Sequence, residues 1–297
     1  MILTWNPPNL GTPIIFSKSA TDYRLLKKYD GFASIPGEHI YADRAPMRHG
    51  KRRKYTTLTT RTVSFDIIVQ SANLDAQRAL VAALAASFNP LDGTGILQYE
   101  MEDGTVYYLN CIGVTGNPIL SDDKSQTHQR ATIQLIADED PFWHAGSPSI
   151  IYLDPNPANF FPFPSGTGTW PFTLSSSNKT RTATVLGSVN APIIVVFTGP
   201  MTNPSLVVTK SINGVDVTET LSFTMTLNAS ETLTVNTAPD ILTAVYSVGT
   251  ENAHKYMDTT AKFWQLGRGI NTVTLDPATS STGSSASVTW SDRFVGV

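Results

Sequence analysis

One cysteine, Cys111, is all that the 297 residues contain, and that scarcity excludes an intrachain disulfide framework and any zinc site built on several cysteines. Charge is scarce as well: Asp, Glu, Lys and Arg make up 15% of the chain and leave a net charge of −3. Sequence-independent nucleic-acid binding sets many cations against many phosphates, so neither DNA, RNA nor an acidic membrane is an expected partner. The longest apolar run, Ala79 to Ala86, falls well short of the ~20 residues that cross a bilayer. The opening Met1-Ile-Leu-Thr-Trp-Asn-Pro-Pro has no basic stretch leading into an apolar one, so no secretion signal is expected. These absences predict a soluble chain.

What is present is hydrophobic content of 41%, enough for proper cores, in a chain longer than one core usually sustains; two domains of roughly 140 to 150 residues are expected. Val63, Phe65, Ile67 and Val69 alternate with Ser64, Asp66 and Gln70, the pattern of a half-buried strand. From Asn73 to Phe88 the spacing turns helical. Leu74, Val81, Leu84 and Phe88 form a stripe, Asn73 is the N-cap, Asp75 lies in the first turn and Pro90 stands just past the end. Ile96 to Met101 and Thr105 to Cys111 read as a hairpin turning at Asp103-Gly104, and Ala131 to Ala137 as a further strand. An antiparallel sheet carrying one helix makes this an α+β domain. Polar Ser121 to His128 reads as a surface loop.

Between Asp138 and about Thr173 prolines at 141, 155, 157, 162, 164 and 171 interleave with glycines and aromatics, which interrupts ladders and predicts a connector. Beyond it come short β-runs: Arg181 to Leu186, Ile193 to Phe197, Leu206 to Ile212, Leu221 to Leu227, Glu231 to Val235, Thr243 to Ser247, Ile270 to Leu275 and Ser287 to Trp290. Asn213-Gly214 supplies a hairpin turn. Strands at this spacing predict an antiparallel β-sandwich or jelly roll.

Several strings, in order along the chain, resemble the distal tail protein family of siphophages. In the first half these are Gly50 within the basic segment, Arg61-Thr-Val-Ser-Phe65, Phe88-Asn-Pro-Leu-Asp-Gly93, Met101-Glu-Asp-Gly-Thr105 and Asp138-Glu-Asp-Pro-Phe-Trp143. In the second they are Asn190-Ala-Pro-Ile-Ile-Val195, Thr198-Gly-Pro-Met-Thr-Asn-Pro204, Leu227 to Val235, Phe263-Trp-Gln-Leu-Gly-Arg-Gly-Ile-Asn271 and Val288-Thr-Trp-Ser-Asp-Arg293. The resemblance covers residues 40 to 297 and leaves the first forty unmatched. It implies a mainly β protein: an α+β domain, as a sheet or split barrel with one helix, over 1–145, a connector over 146–175, and a galectin-like or jelly-roll β-sandwich over 176–297. It further implies a hexameric ring joining the tail tube to the tail-tip hub and host-adsorption device, with a channel for DNA exit. Implied partners are other copies of the chain, the tail tube protein and the hub or tail-associated protein, with the tape measure and host-recognition proteins as further candidates. The place is the virion tail tip, after synthesis in the bacterial cytoplasm.

Among candidate site residues, Lys51, Arg52, Arg53 and Lys54 form the strongest charge feature. They read as an inter-subunit or tube-facing loop, or else as a solvated hairpin arm; gripping DNA would not serve a channel that must release it. Glu100, Glu102 and Asp103 would have to flank a scissile bond to act as a glycosidase pair, yet they sit beside a turn where charge is ordinary. Asp138, Asp140, His144 and His128 match no familiar metal spacing, and no Gly-x-Ser-x-Gly elbow is present. Cys111 shares a strand face with Leu109 and Tyr107, as a small core residue does. Trp170, Trp264 and Trp290 offer either a sugar-stacking platform, with Trp264 and Trp290 its best members, or sandwich core. No catalytic constellation, cofactor or metal is expected. A structural ring protein leads, and a carbohydrate-binding module of a tail tip is the alternative.

Overall fold

The structure, a computed structural model, describes residues 1–8, 12–34, 37–42, 52–125, 127–155, 178–212 and 214–297. The chain divides into two compact units, Met1–Gly146 together with Phe294–Val297, and Ser147–Arg293.

In the first unit the strand Arg61–Gln70 extends the expected Val63 to Val69 core at both ends and buries Val63, Phe65, Ile67 and Val69 on one face. It pairs along its whole length with His128–Ala137. The sheet then runs through Tyr23–Asp30, Ile14–Ser17, Ile2–Asn6, Gly95–Glu100 and Val106–Gly113. Val106–Gly113 also meets His128–Ala137, at Ile112 and Gly113, so the sheet curls round on itself. Closure removes edges that would otherwise template aggregation. It is incomplete at one seam, where Ile14–Ser17 and Tyr23–Asp30 touch by a single parallel pair, Ser17 with Arg24. The result is a split barrel.

The helix Leu74–Ser87 covers this barrel. Asn73 caps it, its side-chain oxygen accepting from the Ala76 amide, which satisfies one of the orphan donors of the first turn. Leu84 and Phe88 are buried and Val81 packs partly against the core, but Leu74, expected on the same stripe, is 42% exposed. It lies in the first turn, where the helix has not yet met the barrel. Trp5 Nε1 donates to Ser87 O at 2.8 Å and stacks on Phe88 at 5.1 Å; Tyr23 Oη donates to Leu80 O at 3.0 Å. Helix and barrel are thus joined by both apolar contact and satisfied carbonyls.

The second unit is a sandwich. A six-stranded sheet contains Ser149–Leu153, Ser285–Trp290, Ile193–Thr198, Thr232–Asn236, Thr243–Tyr246 and Glu251–Asn252. A four-stranded sheet contains Thr180–Val185, Gly269–Leu275, Ser205–Ile212 and Val215–Ser222. Inward residues of both, such as Val195, Phe197, Val235 and Val288 from one and Val208, Leu221, Val273 and Leu275 from the other, share one core.

Three expectations need correction. Ser121 to Lys124 is not loop but part of the strand Ile119–Lys124, which among the described residues pairs only with His128–Ala137. A strand at a sheet edge needs no apolar alternation, and polar residues there discourage further pairing. Leu221 to Leu227 is not one strand: Leu221 and Ser222 end Val215–Ser222, which pairs with Ser205–Ile212 from Ser222 back to Val215, and Thr226–Leu227 is a separate short strand. Glu219, on the same face as Val215, Val217 and Leu221, interrupts the alternation that marks the strand. Ser149–Leu153, inside the stretch read as connector, is a strand pairing with Ser285–Trp290, because no proline falls among those five residues. Of the rest of that stretch, 156–177 lie outside the described residues, as does Asn213 of the expected Asn-Gly turn.

Candidate functional site

Arg53 and Lys54 of the basic segment belong to a two-stranded ribbon. Gly37–Tyr41 and Arg53–Leu58 pair antiparallel, with a bulge between Ile40 and Tyr41, and Ala42 N donates to Arg52 O at 2.8 Å. Lys51 lies outside the described residues. Arg52, Arg53 and Lys54 are exposed, and among the described residues none of them is ion-paired. The ribbon itself is exposed on both faces. Every residue of Arg53–Leu58 is solvent-facing, including Tyr55 at 54% and Leu58 at 42%, and Tyr41 on the facing strand is 46% exposed. An isolated two-stranded ribbon is marginal in water, so such an arm is the kind of element that assembly covers.

A second uncovered surface is the outer side of the helix Leu74–Ser87. Ala79, Ala82, Ala83 and Ala86 face solvent while Gln77 is buried at 3% exposure. The only charges on the helix are Asp75 and Arg78, paired at 3.6 Å. Ordinary amphipathicity would place the polar side chains outside.

Beneath these surfaces the barrel is fixed by Arg61, the largest buried cation of the unit at 1% exposure. Nε donates to Pro141 O at 2.6 Å, Nη1 to Gly31 O at 2.6 Å and Ser34 O at 3.0 Å, and Nη2 to Val295 O. Burial holds its pKa below the ordinary guanidinium value. Gly31 adopts φ +85°, and a Cβ there would lie 2.0 Å from Thr62 O, so only glycine brings this backbone against the strand Arg61–Gln70. Trp143 Nε1 donates to Phe32 O at 3.2 Å, and its ring stacks on Phe32 at 5.6 Å. Asp138-Glu-Asp-Pro-Phe-Trp143 therefore closes the first unit through Pro141 O and the Trp143 ring, and the final residues return to it.

The residues weighed for chemistry are dispersed. Glu102 and Asp103 sit on the turn after Gly95–Glu100, where Asp103 accepts from the Thr105 amide at 2.9 Å, a bond that holds its carboxyl below the usual range. The Cys111 thiol is buried, and that burial pushes its pKa up, which opposes thiolate formation. Asp140 Oδ2 lies 3.0 Å from His144 Nε2, whereas His128 Nδ1 is 2.7 Å from Ser125 Oγ on another loop. No group of three or more His, Cys, Asp or Glu able to hold a metal occurs among the described residues. Trp264 and Trp290 are 2% and 5% exposed within the sandwich core, so neither ring offers a face for a sugar to stack on. Trp170 lies outside the described residues.

The motif around Trp264 has a structural use instead. Asn271 is fully buried, its Nδ2 donating to Gly267 O at 2.8 Å, Gly269 O at 3.1 Å and Ala183 O at 3.3 Å, and its Oδ1 accepting from Gly267 N at 2.8 Å. One side chain thereby fixes the Gly-Arg-Gly turn.

No family model and no curated protein matches the sequence. Among solved structures the chain is similar to the phage SPP1 Dit protein, described as a paradigm of the hub adsorption apparatus in phages infecting Gram-positive hosts. The TM-score is 0.67 at 11% identity over 99% of both chains. This chain has the fold of SPP1 Dit. Components of the phage P2 baseplate in its activated conformation, with Ca and with Sr, follow at TM-scores of 0.53 and 0.51, with 10% and 11% identity over the full length of both chains. The Dit-like fold includes the first forty residues, whose strands Ile2–Asn6, Ile14–Ser17, Tyr23–Asp30 and Gly37–Tyr41 carry no string by which the sequence alone resembles the family.

Proposed function

We propose that this chain is a structural distal tail protein of a siphophage, located at the virion tail tip. It forms a hexameric ring that joins the tail tube to the tail-tip hub and adsorption device and leaves a channel for DNA. The observation that carries this reading is the end-to-end likeness to SPP1 Dit, 99% of each chain, because a match through both units rather than one shared module limits the candidates. The surfaces of the first unit support it. A ring of identical subunits needs two different, complementary patches on each, and an exposed ribbon and an alanine-lined helix face are two such patches. The basic residues Lys51, Arg52, Arg53 and Lys54 serve at the inter-subunit or tube-facing contact.

Enzyme action has no support from the geometry, since the acidic side chains stand on an open turn and the thiol is buried. The test is imaging of the purified protein by negative-stain electron microscopy, with mass photometry across concentrations. Six-fold rings with an open centre are expected; a monomer at every concentration overturns the proposal.

A further inference from the structure

The split in the barrel leaves a strand edge that is largely without a partner among the described residues. Ile14–Ser17 is hydrogen-bonded along one side to Ile2–Asn6, at four successive residue pairs from Trp5 with Ile14 to Ile2 with Ser17. Its other side meets Tyr23–Asp30 only at Ser17. Ahead of Ser17 that edge opens on a groove of about 610 Å³ lined by Pro13, Ile14, Ile15, Ala20, Asp22 and Ala83. Ile15 is 54% exposed there. Unpaired strand donors and acceptors beside an apolar trough are the features that accept an added strand, the backbone giving affinity and alternate side chains giving selectivity. Among the described residues the one charge on the lining is the Asp22 carboxylate, so an occupant bearing cations fits and an acidic one does not.

The chain itself carries such a strand. Arg53–Leu58, reading Arg-Lys-Tyr-Thr-Thr-Leu, is rich in β-favouring residues and begins with two cations. One of its edges is used by Gly37–Tyr41, and no strand among the described residues pairs with the other. It pairs with the ribbon strand alone and so does not fill the groove of its own subunit. We infer that Arg53–Leu58 of one copy adds as a strand to the free edge of Ile14–Ser17 in a second copy, with Arg53 or Lys54 beside Asp22. Two open edges of opposite charge are then satisfied at once, and a ribbon that is marginal alone becomes part of a larger sheet. The inference rests on the reading that the chain assembles with itself, and it assigns the contact.

Cross-linking tests it on the full chain. Ile15→Cys is combined in turn with Tyr55→Cys, Thr56→Cys and Thr57→Cys; native Cys111 is buried and stays in place. All these positions are exposed, so folding is not at risk. An intermolecular disulfide in at least one combination, seen as a ladder on a non-reducing gel and absent from the single variants, is expected. Asp22→Lys should weaken association roughly two- to fivefold per contact, the range of a surface ion pair, and Lys54→Glu in the same chain should restore it. If rings assemble normally but no combination cross-links, or Asp22→Lys leaves association unchanged, this contact is wrong while the ring reading stands. If the protein is monomeric throughout, the ring reading fails and takes this contact with it.

Discussion

Replacing Arg61 by Met removes every donor of a buried guanidinium while keeping an unbranched apolar side chain of comparable length. Four segments lose a shared anchor: Gly31 to Ser34, Pro141, Val295 and the strand that carries Arg61 itself. The gain and the cost oppose each other. Among the described residues no carboxylate neutralises Arg61, so the folded protein bears a desolvation penalty that Met relieves, and burial has already lowered the pKa. Against this, a buried carbonyl left without a donor costs ~1–3 kcal/mol. Water can reach some of the freed carbonyls; if two stay dry, the loss is about 2–6 kcal/mol, and part of it is offset by the relieved penalty. We expect a net destabilisation of about 2–4 kcal/mol, confined to the first unit. Arg61→Lys should recover only part, because one ammonium cannot span acceptors arranged for a planar fork. Hydrogen exchange read by mass spectrometry separates the units. Faster exchange around Phe32, Val63 to Val69 and Trp143, with unchanged exchange in Ile193–Thr198, is the expected pattern. If Arg61→Met is within ~0.5 kcal/mol of the parent, the carbonyls have found water and the anchor argument fails.

Other consequences are simpler. Asn271→Leu should destabilise the second unit by about 2–4 kcal/mol, since the Gly267 amide and at least one carbonyl lose a partner in a dry site; a chemical-denaturation midpoint unchanged from the parent would refute this. Glu231 accepts from Tyr246 Oη at 2.5 Å and from the Asn228 amide at 2.7 Å, which lowers its pKa from 4.5, while the same contact pushes Tyr246 from 10.0 up to about 12. A depressed acid stabilises above its unfolded pKa and loses that as pH falls through the folded one. A raised phenol stabilises below 10.0 and loses that as pH climbs towards about 12. The stability difference between parent and Tyr246→Phe should therefore be flat from pH 6 to about 9 and shrink at both extremes; a pH-independent difference would sink the assignment. Cys111 should resist thiol reagents in the folded protein and react fully once denatured, as burial and a raised pKa require.

The legible parts of this fold are those where a single segment carries its own signal. Asn73, the Leu84–Phe88 spacing and Pro90 locate the helix without reference to anything else, and Val63 to Val69 alternates cleanly because one face meets the core and the other does not. Val215–Ser222 does alternate, Val215, Val217 and Leu221 against Asp216, Thr218 and Thr220, but Glu219 breaks the apolar face and only Leu221 is buried; where the strand begins and ends is set by register with Ser205–Ile212, which no window of eight residues contains. The same holds for the first forty residues. Tyr23–Asp30 ends in Lys27, Lys28, Tyr29 and Asp30, a sequence with no alternation, and is a strand only because Arg61–Gln70 lies beside it.

Site residues divide along the same line. Lys51 to Lys54 stand out in composition, and Arg53 and Lys54 do project into solvent, because a charge run is itself a local property. Arg61 was visible only as the first letter of a motif string. Its role depends on Gly31, Pro141 and Val295, separated from it by 30, 80 and 234 residues. Trp264 and Trp290 lie where the core reading puts them: an aromatic is suited both to a sugar face and to a core, and only burial distinguishes the two. The free edge of Ile14–Ser17 is the extreme case, since an edge is defined by the partner that is missing. Its neighbour Tyr23–Asp30 diverges after one pair, Ser17 with Arg24, and nothing within Ile14–Ser17 itself announces that divergence. A sequence pattern reports what a residue prefers, whereas an open edge reports where the fold has failed to satisfy that preference. Under the ring reading proposed above, such an unsatisfied place is where a next copy would be recognised.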